Sequence, residues 1–492
     1  MSRPLILAVD QGTTGTTCLL VDLDGAVARR AYREVPVAYP RPGWVEQDAE
    51  ALWGSVVEAT AEVLEDGTVP VAVGITNQRE TVVVAERATL RPVGPAIVWQ
   101  CRRSAALCAE HREAGDEPEL RRRTGLLLDP YFSATKLEWL LRERPELQGP
   151  AGRGDLLATT VDGWLIARMT GGRSLGIDAS NASRTLLYDL HRGDFDADLC
   201  AVFGVPPALL PPVVGSAERV GVTDPAAFCG LTVPISGIAG DQQAALFGQA
   251  CTRPGMAKNT YGTGSFVLVN AGDTPVAPGH GLLTTVAWRL DGRDTFALEG
   301  SIFTTGAALR WLRDGAALIR SYEDVGPLVE SVPDTAGVHF IPALAGLGAP
   351  WWDPDTRAAF TGITAGVTRA HLVRAVVESM ALRTRDVVEA MEAAGAPPFA
   401  ELRVDGGASV MDALCRIQSD LLGIPVARAA TAETTAVGAA MLAAVGAGLR
   451  SPAEVAAGWR PGARFEPAMP GERPDQAYRS WLAALDTVRG IV

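Results

Sequence analysis

Leu5-Ile-Leu-Ala-Val-Asp-Gln-Gly-Thr-Thr-Gly15 is the stretch of sequence that decides the fold. It predicts an apolar strand ending in the carboxylate of Asp10, a turn closed by Gly15, and a second strand over residues 17–21. Glycine lets the backbone approach a ligand, and the turn amides with the hydroxyls of Thr13 and Thr14 can donate to phosphate oxygens. The stretch therefore indicates a phosphate-binding hairpin, with a plain polar turn as the alternative.

The same pattern returns halfway along the chain. After a Pro-Gly break, Ala257-Lys-Asn-Thr-Tyr-Gly-Thr-Gly264 precedes an apolar strand over residues 265–269. Two such hairpins facing each other would hold a triphosphate from both sides, with Thr263 as the counterpart of the threonines in the first turn. We expect two related domains, residues 1–250 and 251–492, with the ligand in the cleft between them.

A third motif, Leu402-Arg-Val-Asp-Gly-Gly-Ala408, predicts a strand that ends in paired glycines. Such a turn lets a flat adenine lie against the backbone. Ser409 and Asp412 form an S-x-x-D capping pattern for a helix that runs to residue 421, with Gly423 as its C-cap. A tight strand-to-helix turn without a ligand is the alternative for this motif taken alone.

Strands and helices alternate along the rest of the chain, which is typical of an α/β protein. Asp48 is a predicted N-cap for a helix, and the next apolar strand is predicted over residues 69–75. Asp241 stands at a predicted strand-to-helix junction. Residues 436–449 form the longest apolar stretch, which is short and rich in Ala and Gly and predicts a buried helix.

The net charge and the composition of the chain exclude several functional classes. The formal net charge of −13 leaves no basic field for nucleic acid or an anionic membrane. The seven cysteines are dispersed without a CxxC pair, which indicates reduced thiols in a cytoplasmic protein. The five histidines form no cluster with metal-ligand spacing, so no transition metal is predicted.

Taken in order, the three motifs resemble the actin-like ATPase superfamily, and within it the FGGY family of carbohydrate kinases. The resemblance runs from about residue 5 to about residue 465 and rests on long strings: Gly74-Ile-Thr-Asn-Gln-Arg-Glu-Thr81, Val98-Trp-Gln-Cys-Arg-Arg103, Asp129-Pro-Tyr-Phe-Ser133, Asn181-Ala-Ser-Arg184, Ile235-Ser-Gly-Ile-Ala-Gly-Asp-Gln-Gln-Ala-Ala-Leu-Phe-Gly248 and Gly346-Leu-Gly-Ala-Pro350. It implies two actin-like (ribonuclease H-like) domains with an interdomain catalytic cleft.

The resemblance also implies an activity, the ATP-dependent phosphorylation of glycerol, with ATP and Mg²⁺ as cofactors. It assigns the acceptor site to seven residues: Arg79, Glu80, Trp99, Tyr131, Asp241, Gln242 and Phe266. A small uncharged triol needs several convergent donors and acceptors, together with apolar walls for its carbon chain. Each of these residues taken alone also has a structural interpretation, as a surface ion pair or a core aromatic.

Within this assignment Asp241 is the general base, because a carboxylate near the acceptor can take the hydroxyl proton during phosphoryl transfer. Asp10 is the predicted Mg²⁺ ligand, together with Asp241. The resemblance assigns the nucleotide to the following residues: Thr13, Thr14, Gly15, Thr263, Gly306, Arg310, Gly407 and Met411. The sequence departs from the family pattern at three positions. Thr17 stands where Arg is frequent, Arg310 where Gln is frequent, and Met411 where Asn is frequent.

Other interpretations stay open at this point. One is a kinase of the same family for another polyol or a ketose, although the Gln-Arg-Glu and Asp-Pro-Tyr strings favour glycerol. Another is an actin-like ATPase without a small acceptor, which leaves Arg79, Glu80, Tyr131 and Trp99 unexplained. Homodimers and homotetramers are both compatible with the sequence.

One regulatory loop of the family departs from its pattern here. Some similar bacterial kinases bind fructose 1,6-bisphosphate through a glycine and an arginine just before an Ile-Pro-Ile-Ser segment. Ala226 and Thr232 occupy these places, and residues 224–236 contain no Lys or Arg. A bisphosphate needs cationic donors, so the sequence predicts insensitivity to this effector.

Overall fold

The computed structural model describes residues 4–490. The strands in chain order are β1 Leu5–Gln11, β2 Gly15–Asp22, β3 Val27–Glu34, β4 Glu46–Gln47, β5 Ala72–Asn77, β6 Val82–Glu86, β7 Ala96–Ile97, β8 Leu156–Thr160, β9 Ile177–Asp178, β10 Tyr188–Asp189, β11 Asp194–Phe195, β12 Val213–Val214, β13 Gly221–Val222, β14 Pro234–Gly240, β15 Ala257–Tyr261, β16 Ser265–Gly272, β17 Leu283–Leu290, β18 Arg293–Ile302, β19 His339–Ile341, β20 Ala359–Thr361, β21 Leu402–Asp405, β22 Val426–Ala429 and β23 Pro461–Phe465.

The α-helices in chain order are α1 Ala49–Val63, α2 Ala105–Ala114, α3 Glu117–Thr124, α4 Ser133–Glu143, α5 Gln148–Arg153, α6 Val161–Met169, α7 Ala179–Ala182, α8 Ala197–Val202, α9 Asp241–Gly248, α10 Gly306–Asp314, α11 Val325–Glu330, α12 Arg369–Ala393, α13 Asp412–Leu422, α14 Thr434–Gly446, α15 Pro452–Gly458 and α16 Arg473–Arg489. No helix among the described residues is long and apolar enough to cross a bilayer.

Two large mixed sheets organise the molecule, and they repeat one topology. The first has the strand order β13-β14-β5-β1-β2-β3, and the second has β17-β18-β16-β15-β21-β22-β23. In each sheet a block of antiparallel strands is followed by two parallel strands, β5 and β14 in the first and β21 and β22 in the second. The first two strands of each sheet in chain order form a hairpin, β1–β2 and β15–β16, as the sequence predicts.

Helices cover the sheets and meet between them. The core of the first half packs β1, β5 and β14 against α1 and α6, and the core of the second half is built around α12, α13 and α16. A third cluster joins β1 and β14 to α9 and α14 and to side chains of β16 and β17. α9 and α14 thus lie between the two sheets, and Asp241, the first residue of α9, lies at that junction as predicted.

Glycines bring α14 into direct backbone contact with its neighbours. A Cβ on Gly438 would lie 1.9 Å from the carbonyl oxygen of Ala244, and one on Gly74 would lie 2.3 Å from that of Ala439. The predicted buried helix over residues 436–449 is confirmed, because α14 is buried along most of its length. Side chains of α14 also pack against Ile6, Leu19 and Val21 of the first sheet.

The structure agrees with the helix caps and strand bounds predicted from the sequence, with two exceptions. The Asp48 side chain caps α1 by accepting from the Glu50 amide at 2.9 Å, and Gly423 ends α13 in the left-handed region. The strand predicted over residues 69–75 begins later, at Ala72. Val69, 69% exposed, has no core to face, and Pro70 has no amide for a ladder.

The predicted capping role of Ser409 is wrong. Gly407–Val410 form a short 3₁₀ helix in which the Ser409 hydroxyl donates to the Gly406 carbonyl at 2.7 Å. Because Ser409 is part of this turn, it is not available to cap the helix. α13 therefore begins at Asp412, with Met411 in the N-cap position and no side-chain cap.

Candidate active site

The first hairpin carries Asp10 at the end of β1. Asp10 lies opposite Thr17 on β2 and beside Thr76 on β5. The turn is held from outside, because the Gln47 side-chain amide donates to the Thr13 carbonyl at 2.8 Å. A side chain at Gly15 has no room, since a Cβ there would lie 2.4 Å from the Tyr32 hydroxyl oxygen. Thr14, by contrast, is exposed, so its side chain is free to meet a ligand.

The carboxyl of Asp10 needs a positive partner that the described residues do not supply. Burial raises the pKa of Asp10 to about 8, and the negative charges of Asp241 and Glu433 add to the effect. Among residues 4–490 no group of three or more His, Cys, Asp or Glu side chains is arranged to hold a metal ion. Asp10 and Asp241 are therefore a pair of acidic groups rather than a closed metal cage.

Arg79 and Glu80 lie in the loop that joins β5 to β6, and both are buried, with 3% and 1% exposure. Arg79 Nε lies 3.2 Å from Asp241 Oδ1. Glu80 has a positive φ of 60°, which is uncommon for a residue with a side chain and marks a backbone constrained by its surroundings. This loop thus brings the guanidinium of Arg79 directly to the carboxylate of Asp241.

The reasoning from sequence missed two members of this cluster, Arg184 and Glu299. Glu299, on β18, accepts from Arg79 Nη1 at 2.5 Å and from Arg184 Nη2 at 3.0 Å. Arg184 Nε in turn donates to Glu80 Oε1 at 2.6 Å. Burial disfavours the ionised form of Glu299, but the two guanidinium groups outweigh it and lower the pKa of Glu299 to about 2.

A signal for both missed residues exists in the sequence. Arg184 ends the Asn-Ala-Ser-Arg string, and Glu299 is a lone charge inside Phe296-Ala-Leu-Glu-Gly-Ser-Ile302. A single carboxylate in an otherwise apolar strand needs a buried cationic partner. That partner cannot be named from sequence, because Arg79 lies 220 positions away.

Three aromatic side chains line the same space. Trp99 and Tyr131 meet edge to face with ring centroids 5.6 Å apart, and the Phe266 ring lies 5.8 Å from the Arg79 guanidinium carbon. All three are partly exposed. Trp99 Nε1 also donates to the Thr13 hydroxyl at 2.9 Å, which joins this aromatic wall to the first phosphate turn.

The helix α9 begins with Asp241 and Gln242, close to these aromatic side chains. The Asp241 side chain is 33% exposed, and its Oδ1 accepts from the Gln242 amide at 2.7 Å. The side-chain amide of Gln242 donates to Asp241 Oδ2 at 3.2 Å. The carboxylate thus reaches solvent while its direction is set by the first turn of the helix and by Arg79.

The second hairpin meets the start of α10. The Gly306 amide donates to the Gly262 carbonyl at 3.0 Å, and a Cβ on Gly306 would lie 2.6 Å from that oxygen. Thr263 at the tip is exposed, and so is Arg310 one turn along α10. The amides of Gly306 and Ala307 at the start of α10 thus donate to carbonyls of the hairpin, and the exposed Thr263 at the tip is the residue left open to a ligand.

The paired glycines lie next to this hairpin, because β21 pairs with β15. Gly406 has φ +83°, and a Cβ there would lie 2.5 Å from the Tyr261 carbonyl oxygen. Gly407 is exposed with open space beside it, and Met411 is half-buried at the start of α13. The turn therefore leaves one flat, side-chain-free surface beside the second hairpin.

The comparisons with known proteins agree with this arrangement. Residues 5–248 match the N-terminal domain of the FGGY family of carbohydrate kinases, and residues 257–447 match its C-terminal domain. The chain belongs to the FGGY family of carbohydrate kinases. The fold predicted for this FGGY kinase, α/β with two actin-like domains, is confirmed, while the boundary near residue 250 stays a prediction.

Relatives of this FGGY kinase cover its whole length. It is 50% identical over 490 residues to a glycerol kinase of Trichlorobacter lovleyi, covering 99% of each chain. It is 48% identical over 485 residues to a glycerol kinase of Geobacillus kaustophilus, covering 98% of each chain. A crystal structure of Plasmodium falciparum glycerol kinase with ADP superposes with a TM-score of 0.93 at 31% identity, covering 99% of this chain and 98% of that one.

Proposed function

We propose that this FGGY kinase transfers the γ-phosphoryl group of ATP to glycerol, giving sn-glycerol 3-phosphate and ADP. The observation that carries the proposal is the contact between Arg79 and the partly exposed carboxylate of Asp241, beside the wall of Trp99 and Tyr131. A charged pair at the base of a small aromatic-walled space suits a short uncharged polyol. The relatives at about half identity are named as glycerol kinases.

Binding of the acceptor divides between polar and apolar groups. Arg79, Glu80, Tyr131 and Gln242 would hydrogen-bond the hydroxyls, while Trp99 and Phe266 pack on the carbon chain. Because the guanidinium of Arg79 is already held by Glu299, it loses little side-chain freedom when glycerol binds. The acceptor site is pre-organised in this respect.

Asp241 acts as the general base of the proposed reaction. The hydroxyl oxygen forms its bond to the γ-phosphorus as the bond between that phosphorus and the β–γ bridging oxygen breaks, which releases ADP. Asp241 accepts the hydroxyl proton during this step. Arg79, 3.2 Å away, holds the carboxylate in place for the transfer.

The nucleotide lies between the two hairpins in this proposal. Thr13, Thr14 and Gly15 hold its phosphates from the first sheet, and Thr263 and Gly306 from the second. The adenosine lies against Gly407 and Met411, with Arg310 nearby on α10. Thr14 and Thr263 are exposed, so their hydroxyls are available for this contact.

The acidic pair fits Mg²⁺. Two carboxylates without a third protein ligand leave positions for waters and phosphate oxygens, which is the usual coordination of Mg²⁺ in kinases. Asp10 and Asp241 would hold the ion, which when bound neutralises the phosphate charge. Burial first, and then the negative charge of Asp241, raise the pKa of Asp10, and a bound cation would favour its ionised form.

We divide the chain into domains 1–250 and 251–492, assign it to the cytoplasm because it consumes ATP and its seven cysteines are free, and expect a homodimer or homotetramer. The product feeds glycerol catabolism and glycerolipid synthesis.

ADP release with a panel of acceptors tests the function. Purified protein with Mg-ATP is given glycerol, erythritol, xylulose, ribulose or no acceptor. Glycerol is expected to give the highest kcat/KM, because an acceptor that leaves one buried polar group unpaired loses about 1–3 kcal/mol. A higher kcat/KM for erythritol or a pentulose would reassign the acceptor, and equal ADP release without any acceptor would indicate an ATPase.

A further inference from the structure

Lysine is almost absent from this chain, and its two lysines are both buried. Of 44 basic residues counted as Lys or Arg, only Lys136 and Lys258 are lysines. Each is 0% exposed. Charged residues such as lysine are almost never fully buried unless they are paired, yet neither ammonium pairs with a carboxylate among the described residues. Every other basic position in the Lys and Arg count is an arginine, so a lysine at these two positions, where burial of the charge is costly, needs a structural reason.

Lys258 lies directly behind Gln242. Its Nζ donates to Gln242 Oε1 at 2.5 Å and to the Thr260 hydroxyl at 2.8 Å. An ammonium group only donates, so it can face only the oxygen of the Gln242 amide. The amide nitrogen is thereby directed to Asp241 Oδ2, 3.2 Å away. Lys258 thus fixes which end of Gln242 meets the general base.

Lys136 lies behind Tyr131 in the same way. Its Nζ donates to the main-chain carbonyls of Tyr131 and of Phe132, the latter at 3.1 Å. These residues precede α4, and the N-cap residue Phe132 offers no side-chain cap. The ammonium therefore secures the backbone that positions the Tyr131 ring against Trp99.

The geometry explains why these positions need lysine. Each site is a closed space in which oxygens converge on one point, which suits a compact ammonium with three donors. The planar guanidinium of arginine is larger and directs its five donors in a fixed fork. Burial also lowers the pKa of both lysines to about 8, which is the cost of holding an amine there.

We propose that Lys136 and Lys258 are positioning residues of the acceptor site, which hold Tyr131 and Gln242 from behind. The inference rests on the proposed function, because it takes Tyr131 and Gln242 as acceptor-binding groups. It goes beyond that function by assigning roles to two side chains that do not line the site.

Steady-state kinetics of four variants, K136M, K136R, K258M and K258R, test the proposal. The K136 variants should raise the KM for glycerol about tenfold, and the K258 variants should in addition lower kcat about tenfold, in line with the loss of one orienting hydrogen bond. The KM for ATP should stay within about twofold of wild type, since neither lysine touches the hairpin tips.

R383K is the matched control. Arg383 is a buried cation in α12 that pairs with Asp386 and contacts no acceptor-site residue. The exchange should lower the unfolding temperature without changing either KM. Lysine variants whose glycerol KM and kcat match those of R383K would overturn the proposal, because their effect would then be on stability alone.

A wild-type measurement covers the case in which the variants fail to fold. Lysine labelled with ¹³C at Cε gives two side-chain NMR signals in this chain. Glycerol should shift both signals, and two unmoved signals in an enzyme that turns over glycerol would overturn the proposal. Turnover of wild type is measured first. If glycerol-dependent ADP release is absent there, the proposed function is wrong, and the result says nothing against the role of the lysines.

Discussion

Arg79 and Glu299 are joined by two hydrogen bonds, Nη1 to Oε2 at 2.5 Å and Nη2 to Oε1 at 3.1 Å, across 220 positions of sequence. Arg79 belongs to the first half of the chain, and Glu299 lies on β18 in the second sheet. The guanidinium that faces Asp241 is therefore held by a strand of the opposite half. The acceptor site is complete only when both halves are folded together.

E299Q should damage both stability and acceptor binding. Removing the charge leaves Arg79 and Arg184 buried with too few anions, which costs about 3–5 kcal/mol of unfolding free energy. The KM for glycerol should rise while the KM for ATP stays near wild type, measured by ADP release and chemical denaturation. E378Q is the control, because Glu378 also pairs with an arginine but in α12. An E299Q enzyme with an unchanged glycerol KM would contradict the positioning of Arg79 by Glu299.

D10N should stabilise the ligand-free protein at alkaline pH while abolishing turnover. The folded pKa of Asp10 is raised from 3.8 to about 8, so the folded state holds the proton more tightly than the unfolded chain. Its contribution to stability therefore falls as pH rises through this interval, by on the order of 5 kcal/mol. Thermal unfolding without Mg²⁺ or nucleotide should show D10N above wild type at pH 8 and equal to it near pH ~4. A D10N protein less stable than wild type at pH 8 would argue against this account.

D241N should reduce kcat by about 10²–10⁴-fold, because the variant keeps the shape of the side chain and removes the proton acceptor. Glycerol binding, measured by calorimetry, should weaken much less, since Arg79 and Tyr131 remain. Turnover close to that of wild type would remove Asp241 from the role of general base.

Ligands should compact the molecule. The two hairpins belong to separate sheets, and only a closed cleft brings both onto one nucleotide and excludes water. Solution scattering should show a smaller radius of gyration with glycerol plus a non-hydrolysable ATP analogue than with neither. Glycerol alone serves as the control, and an identical radius in all states would count against closure.

Millimolar fructose 1,6-bisphosphate should leave activity unchanged. The loop of residues 224–236 has no Lys or Arg, and the nearby Arg173 is already paired with Asp224 at 2.7 Å. Each missing Arg–phosphate contact removes about 1.5–3 kcal/mol. Rates at constant Mg-ATP and glycerol over a bisphosphate titration provide the measurement. Dose-dependent inhibition would reveal a different anion site.

Local signals predicted much of the fold. The two Gly/Thr hairpins, the cap at Asp48 and the buried α14 follow from turn chemistry and periodicity within a few neighbouring residues. The start of α13 did not follow, because the 3₁₀ turn over Gly407–Val410 depends on how the paired glycines meet Tyr261 on another strand.

The site was predictable only in part for the same reason. Motifs pointed to Arg79, Asp241 and the aromatic wall, which the structure brings together. The partners that hold them, Glu299 and Arg184, are set by the juxtaposition of distant elements. A pattern within one segment carries no information about such a pairing.

The burial of both lysines makes the chain nearly inert to chemistry directed at side-chain amines. Acylating reagents and enzymes that acetylate or ubiquitylate lysine find no exposed lysine in the folded molecule. Acylation of Lys136 or Lys258 therefore requires local or global opening. Since one lysine lies in each half, a peptide mass spectrum taken over time would record how often each half opens, without any engineered label.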